Sequence, residues 1–245
     1  MTESTSLPTT SQRVRPASER FHSQRGWLDS WHSFSFADHH HPDWMGFGPL
    51  RVINDDVIAA GKGFGMHPHR DMEIITVMVE GQLNHSDSMG HQGVIRAGDV
   101  QRMSAGTGIL HSEINGGSHP CRLLQIWIEP SRSGLTPSYE QRSIAVDSNW
   151  TPLIAPDQTA LMAIARPARL WRVRPTPDEP LALPTLADGR GWIQMIDGQM
   201  TVESEHNTEH SMTRGDGLGW SSQADQPRKI QVVTSDTDIL LFSMH

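Results

Sequence analysis

Glu80-Gly81-Gln82-Leu83 and Asp197-Gly198-Gln199-Met200 read as one turn used twice, and a Gly-Asp turn follows each glycine at the same interval. Gly98-Asp99 comes 17 residues after Gly81 (98 − 81), and Gly215-Asp216 comes 17 after Gly198 (215 − 198). A single offset of 117 residues therefore relates both pairs (198 − 81 and 215 − 98). Working outward, the segments Arg51 to Asn54, Ile74 to Val79, Leu123 to Ile128, Trp192 to Ile196, Ile230 to Val233 and Ile239 to Phe242 are short and alternating. Gly and Pro punctuate them, and no long helical stripe interrupts. The chain is predicted to be all-β, with two tandem antiparallel β-barrels of jelly-roll type. Residues 1–20, rich in Ser, Thr and Pro, read as a mobile arm that adheres to the body at most at its end. Residues 21–135 form the first barrel, 136–183 a Pro-rich linker with connecting strands, and 184–245 the second barrel.

Composition narrows the partners. The 245 residues hold 20 Lys and Arg against 28 Asp and Glu, a formal net charge of −8, which lacks the field that gathers phosphate backbones. Direct nucleic-acid binding is not expected. No run approaches the roughly 18 apolar residues of a membrane span, and the stretch from Met1 to Arg20 has no apolar core of signal-peptide type. Cys121 stands alone, which forbids an intrachain disulfide framework and suits a reducing, cytoplasmic setting.

The chemistry gathers in the first copy. His67-Pro68-His69 places two imidazoles at i and i+2, on one face of a strand. His111-Ser112-Glu113 repeats the spacing with an imidazole and a carboxylate. Converging inside a barrel, the two pairs supply three nitrogens and one oxygen, leaving up to two positions of an octahedron open for substrate or dioxygen. One divalent metal ion per chain is expected. At the common offset His67 maps to Pro184, His69 to Leu186, His111 to Arg228 and Glu113 to Ile230, so the second barrel is degenerate and without metal. His39-His40-His41 reads as a solvated loop, and His85, with Asp87, reads as a turn-side polar residue, the alternative being that it reaches the pocket from the neighbouring strand. Trp27, Trp31, Phe34, Phe36, Trp44 and Phe47 either seal the barrels or line a pocket. Cys121 reads as a packed thiol.

These residues carry a resemblance. Gly61, His67, His69, Glu73 and Gly81 follow the first cupin motif with one extra residue before the last Gly. Gly98, Gly106, His111 and Asn115 follow the second with two extra residues before the His. The stretch from Trp27 to Ile128 resembles the pirin family through Trp27-Leu28-Asp29-Ser30, Met45-Gly46-Phe47-Gly48, His67-Pro68-His69-Arg70 and Gly108-Ile109-Leu110-His111-Ser112-Glu113. The short second half resembles the compact bacterial branch known as quercetin 2,3-dioxygenase-like.

The resemblance implies metal ligation by His67, His69, His111 and Glu113, usually of iron as Fe(II), although Mn, Co, Ni, Cu or Zn suit the same donors. Glu73 occupies a position that is a ligand in many other cupins. Its place on the opposite strand face makes it structural or a supporting partner of the site, bonded to a His ring N–H or a backbone donor. The implied reaction opens the heterocyclic ring of a flavonol, a small planar aromatic substrate, with O2 and loss of carbon monoxide. Glu113 would then be the catalytic base as well as a ligand. The alternative is a pirin-like regulator, in which the metal is a structural or redox-sensing element and the product is a complex with a protein partner.

Overall fold

Alternate residues of Cys121–Ile128 point to opposite sides of a sheet, and that period organises the first half of the molecule. Leu124, Ile126 and Ile128 enter one apolar cluster and Leu123 another. This computed structural model describes residues 12–157, 159–177, 179–186, 189–203 and 209–245. Cys121–Ile128 lies at the centre of a seven-stranded sheet, between Glu73–Glu80 and Leu50–Ile58. Asp99–Ser104 and Ser138–Ser143 extend the sheet on one side, and Leu28–His32 and Phe21–Gln24 on the other. A four-stranded sheet, in the order Gly63–His69, Ile109–Ile114, Gln82–Asp87 and Gln92–Arg96, forms the second wall. The second half repeats the plan with a seven-stranded and a three-stranded sheet. Among the described strands no ladder joins the two sheets of either half, so each barrel is a pair of facing sheets. No helix among the described residues is long and apolar enough to cross a membrane.

The offset of 117 survives in the strands. Glu73–Glu80 corresponds to Arg190–Asp197 and Gln92–Arg96 to Glu209–Thr213, residue for residue. Gly81 and Gly198 both take positive φ, and a Cβ on either would run into the chain opposite, at Cys121 and Thr237 respectively. That pair of constraints is why the turn glycine recurs. The strand Gly63–His69 has no strand counterpart among the described residues; around Pro180 the second half shows a single bridge to Gln231. Proline cannot donate to a ladder, which accounts for the loss.

The decisive difference lies in one row of side chains. In the first half Gln101, Thr76, Gln125, Asn54 and His32 are successive register partners across five neighbouring strands. All five are buried and polar. The corresponding row of the second half is Leu218, Ile193, Leu241 and Trp171, all apolar and packed in one cluster with Val202 and Ile230. One barrel therefore carries a buried polar row beside an apolar cluster that includes Leu28, Ile58 and Leu123, and the other has a filled apolar core.

The two large sheets pack back to back and share a core, to which Ile75, Leu124 and Ile126 contribute from the first and Leu170, Trp192 and Phe242 from the second. A buried ion group pins the seam. Arg122 donates to both oxygens of Asp55 at 2.8 and 2.9 Å, to Asp197 at 2.7 Å and to the Ile196 carbonyl at 2.8 Å. Of the expected arm over residues 1–20, positions 1–11 lie outside the described residues. Gln12–Arg15 is a strand paired with Gly217–Trp220, so the arm's later part belongs to the second half's sheet. Arg15 is buried there, its Nε donating to the Ser33 carbonyl at 2.9 Å. With Val14 as its one apolar residue, the segment gave no periodic signal.

Candidate metal centre

Gly63–His69 and Ile109–Ile114 run antiparallel, with His111 opposite His67 and Ile109 opposite His69. Glu113 pairs with Phe64, so two steps on one strand answer three on the other and Gly63–His69 bulges at Gly65 and Met66. A bulge re-aims side chains, and here Phe64 and His67 both line the interior although three residues separate them. The bulge carbonyl of Gly65 accepts a hydrogen bond from His67 Nδ1 at 2.8 Å, which leaves the lone pair on Nε2. The nitrogens of His67, His69 and His111 lie within 4.8 Å of one another. His111 is 1% exposed, and neither of its ring nitrogens has a hydrogen-bond partner. An unsatisfied buried polar group costs about 1–3 kcal/mol unless something binds it. Burial, reinforced by the neighbouring imidazoles, pushes His69 down to about 4 and His111 down to about 2. Both rings are therefore neutral at pH 7, the form that ligates.

Glu113 projects from the same strand as His111 and is 3% exposed. Gln125 Nε2 donates to its two oxygens at 3.1 and 3.0 Å, and Thr76 Oγ1 approaches Oε1 at 3.5 Å. Burial raises its pKa against these hydrogen bonds. The structure thus gathers the three histidines tightly, while Glu113 lines the same cavity, held by Gln125. Glu73 is elsewhere. It shares a strand face with Ile75 and Val77, toward the core between the halves, and accepts from the Ser104 hydroxyl at 2.8 Å. The partner expected for it was a ring N–H or a backbone donor, and strand alternation excludes the ring.

A cavity of about 300 Å3 opens beside the histidines. Trp27, Phe36, Phe64 and Trp127 give it apolar walls, while Gln125, Asn54, His32, Asp56 and Ser30 make one side polar. Trp127 meets His69 edge-on at 5.0 Å and Phe36 at 5.5 Å. Asp56, pushed up to about 7 by burial, receives the Ser30 hydroxyl. Of the aromatic segment, only Trp27 and Phe36 reach the cavity. Phe34 and Phe47 pack on Trp192, Trp31 stacks on His22, and Trp44 lies under Arg13 and Arg15.

Sequence reasoning missed Phe64, Trp127 and the polar side of the cavity; the available signal was Asn54 and Asp56 alternating within an apolar strand. His85, read as turn-side, is buried with its ring 5.4 Å from His111 and stacked on Tyr139 at 4.7 Å. Leu83, His85 and Asp87 alternate inward, and that period carried the signal. Within the histidine tract, His39 bonds Ser23 at 2.9 Å and His41 Nδ1 accepts from the Asp43 N–H, while His40 is exposed. Cys121 is a buried thiol pushed up to about 11 by burial.

Tandem two-sheet units, with a histidine triad inside the first alone among the described residues, define a bicupin built around a single inward-facing site. Residues 13–128 match the family Pirin, and residues 153–244 match the Quercetinase C-terminal cupin domain. The chain belongs to the pirin family. It is 43% identical to a protein named quercetin 2,3-dioxygenase from Escherichia coli (strain K12) over 234 residues, covering 94% of this chain and 97% of that one. The crystal structure of YhhW from Escherichia coli superposes with a TM-score of 0.87 at 42% identity, covering 96% of this chain and 97% of the other. A structure of bacterial pirin YhhW from Escherichia coli in complex with nickel(II) gives 0.86 at 43% identity, with 95% and 98% covered.

Proposed function

We propose that this protein is a metal-dependent dioxygenase of the quercetin 2,3-dioxygenase type. It opens the heterocyclic ring of a flavonol and holds one divalent metal ion, iron(II) in the cell, on His67, His69, His111 and Glu113. The observation that carries this reading is His111, a buried imidazole with both nitrogens unpartnered, opposite His67 and beside an aromatic-walled cavity. Three imidazoles and a carboxylate fit a hard-to-borderline divalent ion and leave room for exogenous ligands. The similarity to proteins named quercetin 2,3-dioxygenase and to a nickel-bound pirin supports the same reading. In the overall reaction the flavonol loses C3 with its oxygen as carbon monoxide. The two atoms of O2 end on C2 and C4, giving a depside.

A metal ion at this site supplies Lewis-acid and redox chemistry toward the flavonol and O2. The protein's own contribution is position and proton control. Glu113 accepts the proton of the 3-hydroxyl, and its burial raises its affinity for that proton. Gln125 holds the carboxylate at both oxygens, fixing where the proton is taken. Trp27, Phe36, Phe64 and Trp127 enclose the planar rings and exclude water. The single cysteine and the net charge of −8 support a reducing, cytoplasmic setting with small-molecule rather than nucleic-acid partners.

Oxygen uptake tests the reading. Protein reconstituted with iron(II) should consume O2 on addition of quercetin, and metal-stripped protein should not. In Glu113→Gln the uptake per bound metal should fall by about 10²-fold or more, the usual contribution of a general base. Glu73→Gln, on the far strand face, should leave uptake and metal content near wild type. Uptake more sensitive at Glu73 than at Glu113 would reverse the assignment.

A further inference from the structure

The polar side of the cavity is ordered in a way that the metal does not require. Gln125, the residue that holds Glu113, is the register partner of Asn54, and Asn54 is the partner of His32. At about 4.8 Å per strand, this row carries polar groups roughly 10 Å away from Gln125 across the wall. Asp56 and Ser30 are partners in the adjacent row.

Hydrogen-bond directions along the row are fixed. Asn54 Oδ1 only accepts, so His32 Nδ1 donates to it at 2.8 Å. Burial pushes His32 down to about 4, so the ring is neutral and its Nε2 accepts from the Ser23 hydroxyl at 3.0 Å. Ser23 Oγ in turn accepts from His39 Nε2 at 2.9 Å. Two groups that line the cavity are left over. Asn54 Nδ2 and Asp56 Oδ2 have no hydrogen-bond partner among the described residues, while Asp56 Oδ1 is taken by Ser30. Both residues are buried, at 4% exposure each.

The second half provides an internal comparison. At the offset of 117, Asn54 corresponds to Trp171 and Asp56 to Val173, and both are packed in an apolar core. The same strand in the same fold is thus filled with apolar groups where no cavity is kept. Polar side chains at 54 and 56 are not a demand of the architecture. With a donor and an acceptor that make no hydrogen bond within the protein, they leave two polar atoms facing the cavity for a polar ligand to meet.

We infer that Asn54 and Asp56 form a hydroxyl-reading subsite, at which a phenolic hydroxyl on the substrate's ring system accepts from Asn54 Nδ2 and donates to Asp56 Oδ2. The subsite selects polyhydroxylated planar aromatics over analogues that lack those hydroxyls. Hydrogen-bonding sites discriminate far more strongly than apolar ones, because the analogue leaves the site's buried groups unpaired. His32, Ser23 and Ser30 act as positioning residues that hold the amide and the carboxyl in this orientation. The inference rests on the flavonol reading given above.

Equilibrium dialysis under nitrogen, with iron-loaded protein, separates recognition from turnover. The two probes are quercetin and 3-hydroxyflavone, which keeps the 3-hydroxyl and lacks the others. Wild type should bind quercetin at least about 10-fold more tightly, in line with one or two hydrogen bonds of 1–3 kcal/mol. Asn54→Leu and, separately, Asp56→Leu should narrow that ratio to within about 3-fold, leaving 3-hydroxyflavone affinity equal or improved. Metal content and the thermal midpoint identify the variants that remain folded. If neither does, the wild-type ratio alone decides. A wild-type ratio near one, or a ratio unchanged in a folded variant, overturns the subsite. Binding of neither flavonol to wild type overturns the flavonol reading itself and the subsite with it.

Discussion

The double variant His67→Ala with His69→Ala is expected to purify without metal, to lose flavonol-dependent O2 uptake, and to keep its fold. Both imidazoles come from Gly63–His69, the edge strand of the smaller sheet, whose residues are all intermediate or exposed. The principal apolar clusters lie elsewhere, between the two large sheets and inside the second half. Removing the two rings therefore takes away two of the three clustered nitrogens but little of the packing that holds the molecule. A ligand that binds only the folded state stabilises it by mass action, so metal-loaded wild type should melt above the variant. Metal-stripped wild type should melt with the variant, within about 3 °C, or roughly 1 kcal/mol for a chain of this length. Elemental analysis and a thermal scan check both halves of the expectation. One equivalent of metal retained by the variant would place the site elsewhere.

The largest expected loss of stability follows from Arg122. Its guanidinium is 4% exposed and meets two carboxylates and a carbonyl at the seam between the halves. Arg122→Leu leaves Asp55 buried without that partner; Arg20, at 4.0 Å, is its remaining cation. Breaking a buried pair by removing one member costs about 3–5 kcal/mol, because the other charge stays behind. For a chain of this length that corresponds to a fall of roughly 6–20 °C in midpoint. Adding Asp55→Leu should recover part of the loss, since an apolar pair in place of a buried ion pair is close to neutral. Thermal unfolding of the single and double variants measures this. A single variant within about 1 kcal/mol of wild type would show that the apolar core alone holds the seam.

The repeat and the clustering of His67, His69 and His111 were legible because both rest on local rules. An acidic-Gly turn needs positive φ wherever it occurs, and i, i+2 spacing puts two side chains on one face whatever the partner strand. The cavity was not legible in the same way. Phe64 enters it through a bulge that shifts the register by one residue, which simple alternation assigns to the wrong face. Asn54, Gln125 and His32 meet only because three strands distant in sequence become neighbours, and no spacing within one segment reports that. His85 was misjudged because polar residues near a turn usually face water, whereas its strand already alternates inward. The later part of the arm, at Gln12–Arg15, carries its signal in cations rather than apolar groups: Arg15 is buried and lies over Phe21 and Trp44.

Product analysis of quercetin turnover under 18O2 tests the central claim most directly. Iron-loaded protein should release one carbon monoxide per O2 consumed, and the depside should carry both heavy atoms while the carbon monoxide carries none. That result requires ring opening by dioxygen at a site where flavonol and metal meet. Absence of carbon monoxide with every divalent metal tested, or a product that holds one heavy atom or none, would contradict it.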